Sequence, residues 1–257
     1  SGGAWYASMT AADINSCKVS NTYFGENTCT AHGGAILAKV PDGVFTNCTF
    51  YKNVGGTGGG GALACQAATI NVYNSTFVGN ELKNESYGTG IHSASNGGFN
   101  LYNNIVVGGV SGIADVYTHN SCTLVGSHNI YGTIAEGTPV TTDEFVDNVV
   151  YTDQKLFAED EPVPALNEGN IAIAADGIAA GAGIVVEGVP TVDQRGKSRS
   201  ATNPAIGSYE EEKATSIERV AVEKLFWPNP AQGNINLPES VSNIVIYDLQ
   251  GSLVKEV

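Results

Sequence analysis

Apolar and polar residues alternate over short stretches on both sides of a recurring asparagine. Ile70 and Val72 lie at alternate positions before Asn74, and Phe99 and Leu101 do so before Asn103. Beyond the asparagine, Cys48 and Phe50, Ser75 and Phe77, and Asn104 and Val106 continue the alternation, as Cys17 and Val19 do after Ser16. Period two on both sides of one polar residue predicts two short strands meeting at a sharp corner. A Gly-Gly-Ala segment, at Gly33 and again at Gly60, supplies a third strand upstream.

This unit repeats. The spacings Gly3 to Ser16, Gly34 to Asn47, Gly61 to Asn74 and Gly90 to Asn103 are equal, while the stretches returning to the next glycine vary. A fifth, less regular turn runs through Gly112 to about Ser127. Three short strands cannot enclose a core alone, but stacked copies can, at a ladder spacing of about 4.8 Å. The pattern therefore predicts an all-β chain built as a parallel β-helix. Composition agrees: 32 glycines and only 15% charged residues suit short strands joined by tight turns.

Repeats of the form Gly-Gly-Ala-Ile…Asn-Cys-Thr-Phe-x-x-Asn resemble the right-handed parallel β-helix superfamily, whose members include pectate lyases. The resemblance covers about residues 1–135. It implies that Asn47, Asn74 and Asn103 form an asparagine ladder at the second turn, each amide bonding to the next coil. Asn53 and Asn80 then make a second small stack. Cys17 and Cys48 read as equivalent inward sites, stacked core thiols being the expectation and a strained disulfide between them the alternative. Asn47, Asn74 and Asn84 match the N-glycosylation pattern, but recurrence in register favours the ladder for the first two.

From Asp143 the pattern changes. Asp193, Arg195, Gly196, Arg199, Ile206, Gly207, Tyr209 and Glu210 resemble a closing signature of bacterial surface β-helices of the choice-of-anchor type. Physically, Asp193 and the two arginines are suited to pin an irregular loop against the last coil. Residues 211–225 read as a charged linker. Further on, Pro228, Asn229, Pro230, Gly233, Ile246, Tyr247, Asp248 and Gly251 resemble the C-terminal sorting domain of the Bacteroidetes type IX secretion system, a small β-sandwich. The domain expectation is thus coils over 1–142, the last coil and a capping segment over 143–210, the linker, and a partial β-sandwich-type sorting domain over 226–257. Gly3 falls within a repeat and Val257 about halfway through such a domain, so the chain reads as a fragment of a longer protein.

Charge narrows the partners. The formal net charge is −14, with 26 acids against 12 bases, which disfavours nucleic acid because no basic stripe is available for phosphates. No transmembrane run is present. The five cysteines form no CxxC pair, so neither a zinc site nor a disulfide scaffold is expected. Gly56–Gly61 is not a phosphate loop, because no Lys-Ser/Thr follows.

Catalysis on such a fold needs clustered acids along the first strand: several for calcium, or two or three on neighbouring coils for a glycosidase. The first strands, Ala35–Ala38, Ala62–Cys65 and Ile91–Ala94, carry none. Only the next offers Asp115, with Tyr117 and His119 nearby. His92, aligned with Ile36 and Leu63, reads as a packed or rim residue. The loops add Glu26, His32, Lys52, Glu81, Lys83 and Glu85 singly. Tyr51, Tyr87 and Tyr117 lie on the loop side, where rings can stack on sugars. Asp115, Tyr117, His119, His92 and Tyr87 are the candidate binding residues. No catalytic set, metal site or cofactor is expected.

Together these readings predict a secreted or outer-surface-attached module exported through the secretion machinery. It serves as a glycan-binding, adhesive or stalk element whose partner is a polysaccharide or cell-surface glycan. The rival expectation is a polysaccharide lyase or glycoside hydrolase whose catalytic coils lie upstream of Ser1.

Overall fold

The computed structural model describes residues 2–8, 17–83, 87–110, 113–119, 121–134, 140–211, 245–247 and 253–256. Two compact units divide the chain, Ser1–Glu212 and Lys213–Val257.

The first unit is a parallel β-solenoid with no helix among its described residues. Its first coil contains β1 (Trp5–Ser8), β2 (Lys18–Ser20) and β3 (Tyr23–Gly25). The second contains β4 (Ile36–Lys39), β5 (Gly43–Thr46), β6 (Thr49–Tyr51) and the short β7 (Val54–Gly55). The third repeats this plan as β8 (Leu63–Cys65), β9 (Thr69–Tyr73), β10 (Thr76–Val78) and β11 (Glu81–Leu82). Next come β12 (Ile91–Ser93), β13 (Gly98–Tyr102) and β14 (Ile105–Val107), then β15 (Val116–Thr118), β16 (Thr123–Ser127) and β17 (Ile130–Tyr131). The coiling ends with β18 (Val140–Val146) and β19 (Val149–Val150).

Like strands stack into three walls. Sheet A has the order β1-β4-β8-β12-β15, sheet B β18-β16-β13-β9-β5-β2, and sheet C β19-β17-β14-β10-β6-β3. Every pairing in these walls is parallel and in register, except for a shift between Leu124 and Gly126 where β16 meets β18. The alternation read from sequence points inward as expected. Ile36, Leu63, Ile91, Phe45, Ile70, Phe99, Phe50, Phe77 and Val106 fill one core, each at most 1% exposed. Phe50 stacks on Phe77 at 4.4 Å and on Phe24 at 4.9 Å.

The repeated glycine has a steric cause. A Cβ at Gly34 would collide with the carbonyl of Gly61, and one at Gly61 with that of Thr89. Successive coils approach backbone to backbone there, so only glycine fits.

The asparagines divide into two columns. Asn21, Asn47, Asn74 and Asn103 occupy the corner between sheets B and C with φ of 51, 52, 46 and 58°. Asparagine tolerates this left-handed region better than most residues. The corner of the first coil is therefore Asn21, Ser16 lying outside the described residues, and Asn47 donates to Asn21 Oδ1 at 3.1 Å. Likewise Asn103 donates to Asn74 at 3.3 Å. A longer ladder runs one residue further on, pointing inward. Cys48 N–H donates to Ser75 Oγ, Ser75 N–H to Asn104 Oδ1, Asn104 N–H to Asn129 Oδ1, and Asn129 N–H to Asn148 Oδ1, at 2.8–3.1 Å. Cys48 thus takes in the second coil the position that Thr22 holds in the first, and the Thr22 carbonyl accepts from Thr49 N–H. Cys17 lies elsewhere, before β2, and all five cysteines are free. Asn27, Asn53 and Asn80 form the second stack, with backbone and amide donors on the next Oδ1 at 2.9–3.0 Å.

Residues 151–211 form an irregular outer layer on sheet C. Tyr51, Val78, Ile105, Val107 and Ile130 face outward from that sheet and pack with Leu156, Ile171, Ile173, Ala179, Ala205 and Ile206. This second core explains why β6, β10 and β14 are buried at every position, whereas β9 alternates. The layer's bonds reach the flank of the solenoid: Ser208 contacts the hydroxyls of Thr49 and Thr76 at 2.8 and 3.1 Å.

In the second unit, β20 (Val245–Tyr247) pairs antiparallel with β21 (Leu253–Glu256). Tyr247 lies in β20, whereas Pro228, Asn229, Pro230, Gly233, Asp248 and Gly251 lie outside the described residues.

Candidate functional site

Sheet A presents an outward column of Tyr6, Leu37, Ala64, His92 and Tyr117, set by the strand register. His92 pairs with Ala64, and it is Ile91 that pairs with Leu63. This one-residue difference from the sequence alignment turns the imidazole to the outer face, because strand side chains alternate. His92 is nonetheless only 2% exposed. The glycine-rich loop preceding β8 crosses the column, and a Cβ at Gly59 would fall 2.8 Å from Tyr87 Cβ and 2.9 Å from His92 Cγ.

Three predicted site residues meet here. Tyr87 lies 4.9 Å from His92 and 5.3 Å from Tyr117, and His92 stacks on Tyr117 at 5.3 Å. His32, from the loop before β4, stacks on the same imidazole at 6.1 Å. The Nδ1 atoms of His32 and His92 are buried without a hydrogen-bond partner. Burial, followed by nearby His32 and His119, lowers the His92 pKa to about 3. Burial also lowers that of His32. Both rings are therefore neutral near pH 7, in keeping with an apolar cover rather than a charged site. His119 itself is exposed, with Ser121 Oγ 3.4 Å from its Nδ1.

Asp115 is 6% exposed and bound on both oxygens. Thr89 Oγ1 and Gly109 N–H each donate to Oδ1 at 3.2 Å, and Thr133 N–H donates to Oδ2 at 3.0 Å. Burial raises its pKa, with the hydrogen bonds acting the other way. The carboxylate ties the turn at Gly109 to the neighbouring coil at Thr133.

The acids of the outer layer are engaged in the same way. Asp193, fully buried, accepts from the N–H groups of Arg195, Lys197 and Glu210 and from Arg195 Nε, at 2.8–2.9 Å. Burial opposes its charge, but these donors hold its pKa below the usual value. Arg199 bridges Glu210 Oε2 at 3.1 Å, Gly207 O at 2.8 Å and Asn47 Oδ1 at 2.9 Å. The arginine thus pins the layer to the second coil. Asn74 donates to Ala205 O and Asn103 to Ile184 O, so the corner asparagines anchor the same layer. At 2% and 0% exposure, Asn47 and Asn74 leave no room for a glycan attached to them.

Comparison with protein-family models, with curated proteins and with solved structures found no match.

Two recesses that the sequence pattern did not signal flank the outer layer. One, of about 550 Å3, is lined by Asn21, Thr22, Tyr23 and residues 164–169. The other, of about 310 Å3, lies between Tyr51, Lys52, Gly79 and Gly108 on the coils and residues 160–163. Their signal is conformational: a turn closed by Gly169 N–H on Ala165 O lays an irregular segment beside Tyr23. Among the described residues, no group of three or more His, Cys, Asp and Glu side chains is placed to hold a metal ion. No helix among them is long and apolar enough to cross a membrane.

Proposed function

We propose that the chain is a non-catalytic module of a secreted, cell-surface β-helix protein, carried out by type IX secretion and serving to bind glycans, adhere or act as a stalk. The observation that supports this reading most is the state of Asp115. It is the acid on the coil face where a lyase or glycosidase of this architecture would need free carboxylates. Three donors hold it inside the wall instead. The outer layer adds a second core and a buried ion-pair knot along one flank, which suits a stiff display element.

The test is a panel of immobilised polysaccharides and cell-surface glycans, assayed for both retention of the protein and release of product. Retention without new reducing ends or unsaturated uronates is expected. Release of either product from the panel overturns the non-catalytic reading in favour of a lyase or hydrolase.

A further inference from the structure

We infer that the recess between Tyr23 and residues 164–169 is a subsite for a neutral hexose or pentose unit of a polysaccharide, an assignment that rests on the glycan-binding reading above. The volume, about 550 Å3, falls in the range of small-ligand sites. Its composition is that of a sugar site: one aromatic ring, amides, a hydroxyl and a single carboxylate. Tyr23 is 42% exposed, its ring packed beside Gly25 and Gly169 with part of it left open. The other outward tyrosine of sheet C, Tyr51, is 6% exposed and covered by the outer layer.

The polar groups are held in place. Asn21 sits in the left-handed corner conformation, with its Oδ1 accepting from Asn47. Asn167 takes φ of 70° within the turn that closes from Gly169 N–H to Ala165 O. Glu168 accepts from the Asn170 amide at 3.0 Å, which orients its carboxylate. Exposed Leu166 and half-buried Pro164 supply apolar edges. A pyranose presents the complementary surfaces, with C–H groups on its faces and hydroxyls around its rim.

Charge selects the class. The lining contains Glu168 and no cation, and Glu26 acts on Tyr23 from its own coil. Together with the net charge of −14, this disfavours uronates and sulfated sugars. The occupant is therefore a neutral glycan such as a glucan, xylan or mannan.

The experiment measures binding of the full chain to soluble β-glucan, xylan, mannan and polygalacturonate by titration calorimetry. Two variants, Tyr23→Ala and Asn167→Gly, are compared with wild type. Glycine retains the positive φ, so the second variant removes the amide without straining the turn. Wild type is expected to bind at least one neutral polymer in preference to polygalacturonate. Each variant is expected to weaken that binding about tenfold, with an unchanged melting temperature for Asn167→Gly. Wild-type binding that both variants retain overturns the subsite while leaving glycan binding standing. Preference for polygalacturonate overturns the neutral-sugar assignment. Binding to none of the polymers overturns the subsite and the reading it rests on.

Discussion

Arg199 Nη2 donates to Asn47 Oδ1 at 2.9 Å, joining residues 152 positions apart in the chain. The same guanidinium holds Glu210 and the carbonyls of Ala205 and Gly207, almost entirely out of water. Removing it strands a buried carboxylate and a buried amide oxygen. Arg199→Met is expected to destabilise the first unit by about 3–5 kcal/mol, measured by urea denaturation. The double variant Arg199→Met/Glu210→Gln is expected to recover part of the loss, because the uncompensated charge is gone.

The inward ladder gives a second contrast. Asn104 accepts from Ser75 N–H and donates to Asn129 Oδ1 and Val72 O, at 0% exposure. Asn104→Ala leaves Ser75 N–H without its acceptor and removes the amide donor to Val72 O, while Asn129 Oδ1 keeps the backbone N–H of residue 104, and it should cost about 1–3 kcal/mol for each group left unsatisfied. Asn100 also bonds to an asparagine of a neighbouring coil, Asn71 on the preceding one, but on the half-buried outer face of sheet B. Water can replace that bond, so Asn100→Ala should cost less than about 0.5 kcal/mol. Equal losses in the two variants would contradict the inward ladder as the stabilising column.

How much of this was legible in sequence follows from what periodicity encodes. Alternation around Asn47, Asn74 and Asn103 identifies strands, corners and inward residues because each coil must fill one core. The first coil escaped because the stretch from Gly3 to its corner is longer than in the coils that follow, placing the corner at Asn21 while the equal spacing pointed to Ser16. His92 falls one residue out because the pattern matches Gly90 to Gly61, whereas the stacked coils set Thr89 against Gly61 and so Ile91 against Leu63. The outer layer has no period, since its position depends on side-chain bonds such as Arg199 to Asn47. The recess beside Tyr23 depends on that layer, so no motif announces it.

Stability should depend on pH through the covered imidazole. His92 has a folded pKa of about 3 against 6.5 for the free group. The unfolded chain therefore binds more protons between these values, and stability falls as pH drops through the window. The loss approaches about 1.4 kcal/mol per pH unit for one such group. Asp193, whose pKa is lowered from 3.8, contributes stability that is lost only below that value. Unfolding free energies between pH 6.5 and 4.5 therefore report on the buried histidines, with His32 adding in the same direction and Asp115, whose pKa burial raises, acting against it. His92→Leu is expected to flatten the slope. An unchanged slope would show that the ring is already accessible to protons in the fold.

Hydrogen–deuterium exchange of the full chain, with and without the polysaccharide it retains, tests where the ligand lies. Slowed exchange at Asn21–Phe24 and residues 165–169, with the segments around Tyr87, His92 and Tyr117 unaffected, is the expected result. Slowed exchange confined to Tyr87–His92 and Asp115–His119, with no change beside Tyr23, would contradict a binding site on the flank and return it to the loop face of sheet A.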